Sequence, residues 1–204
     1  MEVISNVQVY GIDNAIRSSK LPMSTDVESL GSTMTHTVKQ LGSSPPGSGH
    51  DNFLNGIIAQ FDLTFTIKAW TEAERYHFFD FISSQSTMHR ITKFDIDNQY
   101  IEYVDGRIIK IIKEKIDEYN NLCKRVIPSS LDATVEHQNE ANKKYLEILY
   151  SNPCGFKLTA AMTTNYRQLK TIVSQRKNHK LPEWREFCNQ VVEFPMFKEL
   201  CFGN

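Results

Sequence analysis

The 204-residue sequence contains no apolar run of the roughly 18 residues that a membrane-spanning helix needs. Its opening Met1-Glu2-Val3-Ile4-Ser5 lacks the basic-then-apolar order of a secretory signal. A cytoplasmic protein without a membrane partner is expected. Charge of one sign is also missing. Twenty-three Lys+Arg against 24 Asp+Glu leave a net charge of -1, so no overall positive field exists to hold a nucleic-acid backbone. Cysteine is sparse, and Cys123, Cys154, Cys188 and Cys201 form no Cys-x-x-Cys pair and have no histidine at finger spacing. That argues against zinc and for reduced, structural thiols. The short catalytic signatures are absent too: no Gly-x-x-x-x-Gly-Lys loop, no Gly-x-Ser-x-Gly elbow, no His-Glu-x-x-His pair and no Gly-x-Gly-x-x-Gly turn. Any site must be assembled from scattered side chains.

What is present is enough apolar material for a core: 40% hydrophobic and 11% aromatic residues beside 23% charged. One domain over residues 1–204 is expected. Val3 to Tyr10 alternates as a strand. Val27, Leu30, Met34, Val38 and Leu41 recur at helical steps after an N-cap at Asp26, and the 42–49 stretch of Gly, Ser and Pro reads as a flexible loop suited to covering a ligand. Phe53 to Ile58 predicts a short helix, and Phe61 to Ala69 predicts the clearest strand. Thr71 with Glu74 predicts a capped helix that turns Ala73, Phe78, Phe81 and Ile82 inward. Long amphipathic helices follow over Ile108 to Leu122 and Val135 to Leu149, then a short apolar run at Leu158 to Met162. Asn165 and Gln168 cap the next helix, and Pro182 opens the last. Helices dominate over two to four strands, so the class is α+β.

Three places can hold chemistry. On the 165–179 helix, Asn165, Leu169, Ile172 and Arg176 share one face at about 100° per residue, and His179 continues it. An arginine on a core-facing stripe needs a carboxylate, phosphate or backbone acceptor; alternatively Arg176 and His179 only complement the negative end of the helix dipole. His89 and Arg90 can bind an anionic ligand or simply end their helix in solvent. The 47–52 segment, with His50 and Asp51 ahead of a helix, is either an anion nest or a loop with an N-cap. Arg17-Ser18-Ser19 is a weaker signal. Trp70, Tyr76, His77 and Phe78 through Phe81 can stack on a flat ring or form core.

Together these residues resemble the flavin-dependent thymidylate synthases. In that family a strand runs into Asn-x-Arg-Ser-Leu, with a second Arg eleven residues after the Asn. Here Asn165-Tyr166-Arg167-Gln168-Leu169 leads to Arg176 at the same spacing, followed by His179, Glu183 and Trp184. Gly49-His50 is similar to the family's Gly-His, and Ala15-Ile16-Arg17-Ser18-Ser19 to its Ala-x-Arg-x-Ser. The family's Arg-His-Arg signature aligns with Met88-His89-Arg90; downstream, Lys93, Ile96, Asn98 and Tyr100 stand where the family has Ser, Glu, Ser and Arg. The resemblance implies an antiparallel sheet packed with long helices, a homotetramer and FAD as cofactor. It also implies a pyrimidine nucleotide, deoxyuridine monophosphate (dUMP), as substrate, with NADPH and methylenetetrahydrofolate as co-reactants. On it, His50, His89, Arg90, Asn165 and His179 hold the flavin, and Arg167 and Arg176 hold the nucleotide. A non-catalytic nucleotide-binding protein on the same fold is the alternative.

Overall fold

The computed structural model describes residues 2–125 and 131–203; Met1, at the head of the leader reading, lies outside them. In chain order the elements are β1 (Ile4–Tyr10), α1 (Ile12–Ser18), α2 (His36–Gly42), β2 (Ile58–Thr66), α3 (Ile67–Ala73), β3 (Phe79–Ser84), α4 (Thr87–Arg90) and α5 (Gly106–Cys123). Then follow α6 (Leu131–Ser151), β4 (Lys157–Asn165), α7 (Tyr166–Arg176), α8 (Pro182–Val191) and α9 (Phe197–Phe202). Among the described residues no helix is long and apolar enough to cross a membrane. The chain divides into two compact units, one of residues 1–65, 69–84 and 159–204, the other of residues 66–68 and 85–158.

The first unit is built on a four-stranded sheet of order β1-β2-β4-β3, with β1 antiparallel to β2 and β3 antiparallel to β4. The alternation of β2 explains its place. Ala59, Phe61, Leu63 and Phe65 are buried on one side, while Gln60, Asp62 and Thr64 stay half-exposed on the other. Phe61, Phe65 and Phe79 meet Trp184 and Phe187 of α8, with ring centroids 4.7 Å apart for Phe65 and Trp184 and 5.8 Å for Phe79 and Phe187. Asn165 caps α7 as its sequence predicts, its Oδ1 accepting from the Gln168 N–H at 2.9 Å.

Three predicted elements are different in the structure. The strand expected over Phe61 to Ala69 runs Ile58–Thr66, and Ile67 to Ala69 open helix α3. The helix expected from Asp26 begins only at His36, where the Thr35 side chain caps it. Asp26 instead accepts from the Glu28 N–H in a local turn, and Val27 is exposed. The intervening Gly31-Ser32-Thr33 are poor helix formers, and tertiary contacts do not rescue them. The helix expected from Thr71 starts earlier, at Ile67, and stops at Ala73. Phe79–Ser84 is then strand β3 along β4, leaving Phe81 and Ile82 exposed rather than inward. Aromatic and β-branched residues at helical spacing went to a sheet edge because a partner strand was available.

Gly42 sits where α2 meets α9, and a β-carbon there would lie 2.0 Å from the Leu200 carbonyl oxygen. Gly42→Ala is therefore expected to cost about 1–3 kcal/mol through overpacking, read as a fall in thermal midpoint.

The second unit is a helical pair with its own core. Ile91, Ile96, Tyr100, Ile112, Ile116, Ile148 and Phe156 pack together. Lys144 with Glu118 (2.8 Å) and Lys115 with Glu147 (3.3 Å) bridge α5 and α6 across the surface, contributing little individually.

Burial raises the Tyr100 hydroxyl from 10.0 to about 12 and the Cys188 thiol from 9.0 to about 12. Tyr166 and Cys201 are raised in the same direction for the same reason. Because the folded values lie above the unfolded ones, this stability is fully present below about pH 9 and is lost as pH rises toward 12. Chemical denaturation midpoints should hold steady from neutral pH to about 9 and fall beyond it.

Candidate functional site

The loop that follows α2 bounds a cleft of about 860 Å³ in the first unit. Ser18, Ser19, Lys20, Gly49, His50 and Asn52 line it, and Val38, Leu41 and Phe53 contribute apolar surface. Ser19 ends α1, with its hydroxyl donating to the Ile16 carbonyl at 2.7 Å. Lys20 is spent on structure, its ammonium donating to the Gly31 and Thr33 carbonyls at 2.6 and 2.8 Å. Gly47 and Gly49, at φ 88° and 81°, make the turns that carry His50 to the cleft. A concave, mostly apolar space of this size with a few hydroxyl, amide and imidazole groups suits an organic ligand.

Behind His50 lies a buried ion cluster. Asp51 is 1% exposed. Its Oδ1 accepts from Arg167 Nε and its Oδ2 from Lys170 Nζ, each at 3.0 Å. The residue heads the short 3-10 turn Asn52–Gly56 without capping it by its side chain, so the N-cap alternative for Asp51 gives way to a counter-ion. Lys170, 4% exposed, completes its three bonds on the Gly42 and Ser44 carbonyls at 2.7 and 2.6 Å. Among the described residues Arg167 is fixed through Nε, and its side chain remains about one-third exposed.

A second cluster surrounds Arg176 at the end of α7. Its Nε donates to the Tyr76 hydroxyl at 2.7 Å and its Nη1 to Glu72 Oε2 at 3.0 Å, with the guanidinium 5.1 Å from the Trp184 ring. His179 lies past the helix end, and its Nε2 is 3.2 Å from the same Glu72 oxygen. The Leu181 N–H donates to His179 Nδ1 at 3.2 Å, and His179 Nε2 also lies 2.7 Å from Arg176 Nη1, so the imidazole, the guanidinium and the Glu72 carboxylate form one cluster. The core-facing arginine thus has a carboxylate from its own chain, as its position on the stripe demands. Among the described residues no three His, Cys, Asp or Glu side chains converge on a metal position.

The sequence matches no family model and no curated protein. Solved structures do match. Two crystal structures of the flavin-dependent thymidylate synthase of Helicobacter pylori, both with FAD and dUMP, superpose on 99% of this chain and on 98% and 97% of theirs. Each has a TM-score of 0.69 and 14% sequence identity. The chain has the flavin-dependent thymidylate synthase fold.

Within that fold the residues singled out from the sequence fall in both units. His50, Asn165, Arg167, Arg176 and His179 lie in the first, and His89 and Arg90 in the second. There His89, on α4, lines a smaller cleft of about 470 Å³ with Lys93, Tyr119, Asn120, Asn142 and Tyr145, while Arg90 is exposed. The positions that depart from the family's signature have physical occupations of their own. Ile96 and Tyr100 are core residues of the second unit, with the Tyr100 hydroxyl donating to Asn152 Oδ1 at 2.7 Å, and Asn98 donates to Asp95 at 2.7 Å. Where the family pattern has Glu and Arg, this chain has packing.

Lys170 went unrecognised in the sequence, as did the counter-ion roles of Asp51 and Glu72. The signal for Lys170 was available, because it stands among Tyr166, Leu169, Ile172 and Val173, all buried. A lysine so placed requires an acidic partner.

Proposed function

We propose that this protein is a divergent flavin-dependent enzyme of the thymidylate synthase type, binding FAD and modifying C5 of a pyrimidine nucleotide such as dUMP. One observation carries the reading. The two short matches made separately in the sequence, Arg17-Ser18-Ser19 and Gly49-His50, bring Ser18, Ser19, Gly49 and His50 to the walls of one cleft in a fold whose solved examples hold FAD and dUMP.

The cleft fits a dinucleotide cofactor in size and in its mixture of apolar wall with hydroxyl and imidazole donors. Ser18, Ser19, His50 and Asn52 would hold the flavin nucleotide there, with Asn165 and His179 of the same unit as further binding residues; His89 and Arg90 remain candidate ligand-binding residues of the second unit. Bound flavin supplies hydride and one-carbon chemistry, drawing on NADPH and methylenetetrahydrofolate. The chain's own task is positioning. Arg167, about one-third exposed, presents its Nη edge to an anionic group while Asp51 fixes its plane through Nε. Arg176, already neutralised by Glu72, contributes a planar cationic surface beside Trp184 rather than a free phosphate clamp. Subunits associate as oligomers, for which exposed Phe78, Phe81 and Ile82 along the β3 edge supply apolar surface. The site of action is the cytoplasm.

The replacement of signature positions by Ile96 and Tyr100, both packed in a core, favours a second reading: a nucleotide-binding protein that no longer catalyses. Turnover separates the two. Protein supplied with FAD, NADPH, methylenetetrahydrofolate and dUMP is expected to form thymidylate; binding of dUMP without product would establish the second reading instead.

A further inference from the structure

We propose that Lys170 is the latch of the 42–51 loop. On this view it is the positioning residue that holds His50 and Asn52 in the wall of the cleft, and the proposal rests on the flavin reading only for what the cleft binds.

The loop has little else to hold it. Pro45, Pro46, Gly47, Ser48, Gly49 and His50 are exposed, and β-carbons added at Gly47 or Gly49 would meet nothing within 4 Å. Its internal bonds are local: the Ser48 N–H donates to the Pro45 carbonyl at 3.1 Å, the Ser44 and Ser48 hydroxyls lie 3.0 Å apart, and the His50 N–H donates to the Ser48 hydroxyl at 3.4 Å. None of these ties the start of the loop to its end.

Lys170 does. Its ammonium donates to the Gly42 and Ser44 carbonyls at the start and to the Asp51 carboxylate at the end. One buried cation with three donors meets three acceptors from two loop ends, so opening the loop breaks several charge-assisted bonds at once and strands a charge in the interior. Asp51 also orients Arg167 through Oδ1, which links the loop and that guanidinium through one carboxylate. His50 and Asn52 flank Asp51 in sequence, and both line the cleft.

Two variants of the full chain test this. Lys170→Met removes the donor while keeping an unbranched side chain one atom shorter. Asp51→Asn with Lys170→Met removes both charges, so that neither is left buried and alone. The readouts are amide hydrogen exchange and FAD affinity by flavin fluorescence quenching. The Ser44, Ser48 and Leu54 amides, bonded within the loop and its exit turn, are expected to exchange at least tenfold faster in both variants. Amides of β2 and β4 should stay protected in the double variant, and FAD affinity should fall at least tenfold. Unchanged loop exchange in the double variant would overturn the latch. So would a loosened loop with wild-type FAD affinity, since Lys170 would then position nothing. A wild-type protein that takes up no flavin would sink the flavin reading alone, leaving loop exchange to decide the latch.

Discussion

Asp51→Ala is expected to destabilise the protein by about 3–5 kcal/mol, because it leaves the Lys170 ammonium buried without its counter-charge. Folded domains are stable by only about 5–15 kcal/mol, so this single change removes a large share of the total. The reason lies in exposure. The side chains of Asp51 and Lys170 are 2% and 5% exposed, so water cannot replace the lost partner. Removing both charges, by Asp51→Asn with Lys170→Met, should recover much of the loss, since a buried pair replaced by neutral groups of similar volume is often close to neutral. Urea unfolding of the two variants checks this. Equal destabilisation by single and double changes would contradict the pairing.

Trp184→Ala should be comparably damaging, about 3–5 kcal/mol for truncating a buried tryptophan. Trp184 is fully buried, its ring meeting Phe65 at 4.7 Å, Phe187 at 5.6 Å and Tyr76 at 5.9 Å, and the Arg176 guanidinium lies 5.1 Å from it. Loss of the ring opens a cavity beneath the sheet and removes the face against which Arg176 rests. Trp184→Phe should keep most of the stability. Phe81→Ala, at a residue 45% exposed, should change it far less. Thermal midpoints of the three variants, ranked, test whether the core centres on Trp184.

The elements that could be read directly from the chain were those whose local signals and tertiary packing agree. Gly106–Cys123 and Leu131–Ser151 are helices where the periodicity placed them, Asn165 caps α7, and Pro182 stands in the first turn of α8. The misread stretches are those where packing overrode pattern. Phe81 and Ile82 satisfy a helical period, but β4 offered a strand partner, Phe81 pairing with Met162 and Ser83 with Ala161 across a register shift at Ile82. The last helix, Phe197–Phe202, is too short to announce itself by period. At the site, the stripe on α7 located Arg176 correctly but not its partner. Glu72 is 104 residues away in sequence, and nothing local marks it as the neutralising carboxylate. Asp51 likewise carried a helix-start signal at its position, while its side chain serves Arg167 and Lys170, both more than 100 residues on. Pairings of that range belong to topology, and the sequence displays only the need for them.

The central claim is that the cleft between Ser18–Ser19 and Gly49–His50 holds a flavin. A visible absorbance spectrum of the purified protein, incubated with FAD and then desalted, tests it most directly, with a His50→Ala variant alongside. The account predicts that the wild-type protein retains flavin, that its spectrum shifts when dUMP is added, and that the variant retains less. Protein that emerges colourless after saturating FAD would contradict the claim.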